Sequence, residues 1–211
     1  MGLAVSVGML ADLNVHDPDG ARWLREALTK VNSVLEENRL PTHSEPEALP
    51  ALNNRAQVGS YPYSFLHHLR RFAVYALNPD WKPKAFPKSK NPANDPAVFD
   101  EMAMLSSHLL CHSDSEGFYV PIEFDDPLFA DEGAIPGGML GSSQRLLKEL
   151  RDVAPKLGIT LIDGTLSDAE ADRINSVINA EGRFWIEQTA WLSLFEAARL
   201  SIDHRTAICF G

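Results

Sequence analysis

Apolar residues along this chain fall into short runs and helical stripes. Residues 3–10, LAVSVGML, are short, apolar and partly β-branched, which predicts a buried strand. After the turn-rich stretch Asn14–Gly20, Leu24, Leu28, Val31 and Leu35 recur at steps of four, three and four. That spacing predicts a helix over about 21–38, with Asp17, Asp19 and Glu26 toward the end that favours anions. Residues 41–54 lack periodicity and read as a loop. A second helix is expected from Ser60 as N-cap, with Pro62 tolerated in the first turn and Asn78-Pro79 as its stop. Phe65, Leu66, Leu69, Phe72, Ala73, Ala76 and Leu77 form its core stripe.

Trp81 to Ala97 carries four prolines and four lysines and reads as an exposed connection. A β-hairpin is expected next, Leu105–Cys111 paired with Phe118–Phe124 around the turn Ser113–Gly117. The glycine-rich 137–141 leads into Ser142 as N-cap of a helix to about Lys156, with Leu146, Leu147, Leu150 and Val153 as its apolar face. Ile159–Ile162 is a candidate short strand. Ser167-Asp168-Ala169-Glu170 has the form of a capping box and opens a helix through Ile178. Residues 183–203 are apolar almost all round, so this helix should lie at the centre of the molecule. Thr206–Phe210 closes the chain as a strand. Together these elements predict an α+β fold in a single domain, 1–211, with a small, mostly antiparallel sheet packed by about five helices. The sheet would consist of the N-terminal strand, the central hairpin and the C-terminal strand.

Composition adds little until charge is placed along the chain. The usage, 45% hydrophobic and 23% charged over 211 residues, is that of a globular protein. The two cysteines, Cys111 and Cys209, suit reduced thiols in a cytoplasm. The N-terminal run has no basic residues before it, and nothing approaches the ~18 apolar residues of a membrane span. The net charge of −10 is localised: between Asn91 and Gln144 there are ten acids and no lysine or arginine, while 19 acids elsewhere are matched by 19 bases. That balance argues against direct nucleic-acid binding.

Named catalytic and metal motifs are absent, and no cofactor is implied. His108, His112, Asp114 and Glu116 share even parity and would face one way on an extended strand, a possible metal-ligand set for a small metal-dependent hydrolase. Against this, the run crosses a predicted turn and matches no named zinc spacing. The acidic window is the stronger handle. Asp114, Glu116, Glu123, Asp125, Asp126, Asp131 and Glu132, interleaved with Phe118 and Tyr119, would steer a cationic protein by long-range attraction and hold it by apolar anchors. The plain alternative is a solvated acidic surface that keeps the protein soluble. The runs HLLCHSDSEGFYVP (108–121) and GSSQRLLKEL (141–150) resemble segments of uncharacterised bacterial proteins, some of them immunity proteins of polymorphic toxin systems. The resemblance implies a non-catalytic inhibitor that binds a basic toxin, and it carries over no catalytic residue. Oligomeric state is left open by the sequence.

Overall fold

The computed structural model describes residues 2–87, 90–131 and 133–211. Among these, the strands are β1 (Leu3–Val7), β2 (Ser60–Tyr61), β3 (Gly117–Val120), β4 (Leu128–Phe129), β5 (Met139–Ser142) and β6 (Ile208–Phe210). The helices are α1 (Met9–His16), α2 (Pro18–Glu37), α3 (Tyr63–Ala76), α4 (Pro96–Met102), α5 (His108–Cys111), α6 (Ser143–Val153), α7 (Asp168–Asn179) and α8 (Trp185–His204). The fold is α+β, as the pattern predicts. One sheet runs in the order β2-β1-β6-β3-β5-β4, antiparallel throughout except for the parallel pair β3 and β5.

Alternation along the strands sorts the core into two layers. Tyr119, Ile208 and Phe210 face α3, α6, α7 and α8. Phe118, Val120, Leu140, Ala207 and Cys209 face α2, where Leu24, Leu28, Val31 and Leu35 meet them. The helix predicted as central is α8. Every residue from Glu187 to Ala198 is buried, and the helix packs on α3, α6, α7 and β1. Its carboxylate Glu196, fully buried, accepts from Arg55 at 2.5 Å and from Arg199 at 2.8 Å. Both cysteines are free thiols.

Several local expectations are corrected. The first strand ends at Val7 because Gly8 takes a left-handed φ of 73° and turns the chain into α1. Ser60 lies in β2, and Pro62 rather than Ser60 stands at the start of α3. The glycine-rich 137–141 is partly strand β5, and Ile162 makes only an isolated bridge to Thr165. Ser167 caps α7 as predicted, but Glu170 turns its carboxylate to the N–H of Thr160 instead of closing the box. Within 81–97, Trp81 packs edge-on against Phe72 at 5.0 Å, and Lys156 Nζ donates to the carbonyls of Pro79 and Trp81. Lys88 and Ser89 lie outside the described residues.

The largest correction is the hairpin. Leu105–Cys111 is not a strand, and its second half is the single-turn helix α5. Ser107 Oγ accepts from the Leu110 N–H, and the Glu149 carboxylate accepts from the N–H groups of His108 and Leu109. Those donors are lost to any sheet ladder, so β3 pairs instead with β5 and β6, two segments distant in sequence. The close approach of β3 to β5 depends on Gly141, where an added Cβ would overlap the Tyr119 ring. Gly141→Ala should therefore cost about 1–3 kcal/mol. It should appear as a lower urea midpoint with an unchanged m-value.

Candidate functional site

The run 108–131 is held by buried polar contacts. Arg70 projects from α3, itself buried, and donates from Nε to the Leu109 carbonyl at 2.8 Å and from Nη2 to the His112 carbonyl at 2.5 Å. Its Nη1 pairs with Asp114, which also takes His67 Nε2 at 3.1 Å. Partial burial opposes ionisation of Asp114, but the His67 hydrogen bond and the Arg70 charge outweigh it and bring its pKa down to about 2.

His108 accepts the Ser142 N–H at Nδ1 and so carries its proton on Nε2, which donates to the Asp125 carbonyl at 3.1 Å. Burial holds its pKa below the usual value. His112 is stacked on Tyr119 with ring centroids 4.2 Å apart, and its nitrogens face the carbonyls of Ser113 and Phe118. A neutral ring can donate to only one of these, but burial dominates and pushes its pKa down to about 4. Both imidazoles thus serve internal hydrogen bonds. Among the described residues, no group of three or more His, Cys, Asp or Glu side chains is placed to hold a metal ion. The proposed set of His108, His112, Asp114 and Glu116 is not brought together, because the turn and α5 break the strand parity it relied on.

Of the proposed partner residues, Phe118 and Tyr119 are corrected. They are 2% and 1% exposed and belong to opposite core layers, so neither is available as an anchor. The exposed apolar side chains in the region are Phe99, Met104, Leu105 and Phe129. The acids divide by charge compensation. Asp95 is paired with Arg71, Asp114 with Arg70, and Asp125 and Glu123 with Arg145. Arginines from outside the base-free window therefore fold back onto it and neutralise part of its charge. Asp100, Glu116, Asp126 and Asp131 are exposed and form no ion pair with a described residue. Glu132 lies outside the described residues.

Sheet register places these acids. Strand β4 is an edge of the sheet, running Leu128 against Leu140 and Phe129 against Met139. Glu123, Asp125 and Asp126 therefore lie at the end where β3 and β5 finish, while Glu116 and Asp131 lie at the end where they begin. The Ala130 N–H bond to the Gly138 carbonyl fixes that second end. Asp126 and Asp131 thus flank the edge strand, up to about 16 Å apart at an extended rise of ~3.3 Å per residue. Sequence spacing showed the acids as one block. Only the strand pairing shows two groups.

Fold and surface together define an acidic α+β protein that presents carboxylates at both ends of a sheet edge. The family described as "Putative DNA-mimic protein" matches residues 1–210, and the chain belongs to it. No curated protein and no solved structure matches the chain. The family overturns the expectation of a toxin as partner. A DNA mimic points instead to a DNA-binding protein, and nucleic acid, set aside on charge, returns as the thing imitated. Among the described residues, no helix is long and apolar enough to cross a membrane.

Burial of His112 makes a pH prediction. The unfolded chain takes up a proton near 6.5 and the folded one near 4. This group's contribution is therefore full above about pH 6.5 and falls as pH drops toward 4, by on the order of 3 kcal/mol. Asp114, ordinarily near 3.8 and here about 2, adds its own loss below that range. Urea unfolding from pH 7 to 4 should show declining stability, with a shallower slope in His112→Phe. An equal slope in the two proteins would assign the loss to other groups.

Proposed function

We propose that this protein is a non-catalytic binding protein that occupies the DNA-binding surface of a DNA-binding protein. The carrying observation is the placement of uncompensated carboxylates at both ends of the β4 edge, supported by family membership. A separation of up to about 16 Å is of the order of a B-DNA major groove, ~12 Å wide between its phosphate walls. Asp126 would stand for one phosphate line, with Asp125 and Glu123 beside it already paired to Arg145, and Asp131 with Glu116 for the other. Asp114 contributes least, since Arg70 and His67 already take its charge.

Cationic side chains that normally meet phosphates would meet these carboxylates, with attraction that steers encounter and weakens with salt. A merely solubilising surface would need no such spatial division. The reading is tested on DNA-cellulose charged with an extract of the native host at low salt. The protein should displace a discrete DNA-binding protein, and the double variant Asp126→Lys, Asp131→Lys should bind that protein at least about tenfold more weakly. Displacement that survives both charge reversals, or that is insensitive to salt, would count against mimicry.

A further inference from the structure

A cleft of about 290 Å³ opens beside the Asp125 end of the sheet, between α3, α5 and α6. Its apolar wall includes Val74, Leu77, Leu110 and Val153. Leu77, 64% exposed at the end of α3, stands on the rim of this wall. Two further exposed apolar residues, Met104 and Leu105, sit on the turn between Glu101 and Ser106, both of which line the cleft.

The charged lining favours a cationic visitor. Arg145 and Lys148 are both paired within the protein, with Asp125 and Asp152. Glu149 is occupied in capping α5, but Glu101 remains without a cationic partner among the described residues, and the carboxylates of the lining outnumber Arg145 and Lys148, so the cleft is acidic as well as apolar.

An apolar anchor and a positive charge are together what a basic peptide segment offers. Resting on the DNA-mimic reading, we infer that this cleft is the anchor pocket for a basic segment of the DNA-binding partner, taking one large aliphatic or aromatic side chain. DNA has no equivalent pocket, so the cleft would let the mimic compete beyond charge alone. It adds a contribution that salt does not screen.

The probe is a lysine-rich helical peptide of about 15 residues with one central leucine, compared with the same peptide carrying alanine there. Binding is followed by methyl NMR of the full chain. The leucine peptide should bind about tenfold more tightly, the scale expected for burying one such side chain. It should shift the methyls of Val74, Leu77, Leu110 and Val153, and its advantage should persist at higher salt. Leu77→Ser should remove the advantage and leave alanine-peptide binding unchanged. Equal binding of the two peptides, or shifts confined to other methyls, overturns the inference alone. Failure of both peptides to bind overturns the acidic-face reading and this inference with it. Cleft shifts that appear on raising protein concentration without peptide, together with a doubled mass, would assign the cleft to a second copy and also overturn it.

Discussion

The buried guanidinium of Arg70 is the constraint on which the functional half of the molecule depends. A guanidinium cannot shed its charge, and burying one costs several kcal/mol unless its donors are met. Here they are met by the carbonyls of Leu109 and His112 and the carboxylate of Asp114. Those three acceptors come from one short turn, so Arg70 fixes the path of the chain from α5 into β3. That path sets where β3 enters the sheet, which strands it can reach, and which end of the edge receives each acidic loop. His108 continues the same chain of dependence. It joins the start of α6 at Ser142 to the acidic loop at Asp125.

Much of the fold was legible because burial and periodicity agree along most of the chain. The stripe from Leu24 to Leu35, the cap at Ser167 and the all-round apolar run of α8 each carry a local signal strong enough to stand alone. The hairpin at 105–124 was illegible for the opposite reason. Its outcome is decided by Arg70 and Glu149, residues about 40 positions away in either direction, whose hydrogen bonds to that stretch leave no mark on its own pattern. Even parity among His108, His112, Asp114 and Glu116 then lost its meaning. Phe118 and Tyr119 looked like anchors because aromatic residues beside acids resemble an interface. In the fold they alternate into two cores, as any strand covered on both faces requires.

The acidic block was visible in the sequence, but its effective charge was not. A count along the chain treats all ten acids as equal, whereas Arg70, Arg71 and Arg145 remove several from play by folding back across the window. What survives is smaller and better placed than the count implied. Exposed acids that remain uncompensated raise self-repulsion, and nothing in the packing requires Asp126 or Asp131 for the core.

These same acids also settle a structural difficulty. A free edge strand is a template for unwanted pairing, and charges at its ends are a common protection. Strand β4 is only two residues long and is bracketed by Asp126 and Asp131, which is sufficient for that purpose alone. Edge protection does not, however, account for the apolar cleft beside Asp125. The acidic edge and the apolar cleft meet at Asp125, and a partner engaging both would gain attraction at long range and apolar burial at contact. DNA offers the first of these and lacks the second. A protein competing with DNA for one surface has most to gain from that difference, because in salt it cannot outbid a polyphosphate by charge alone.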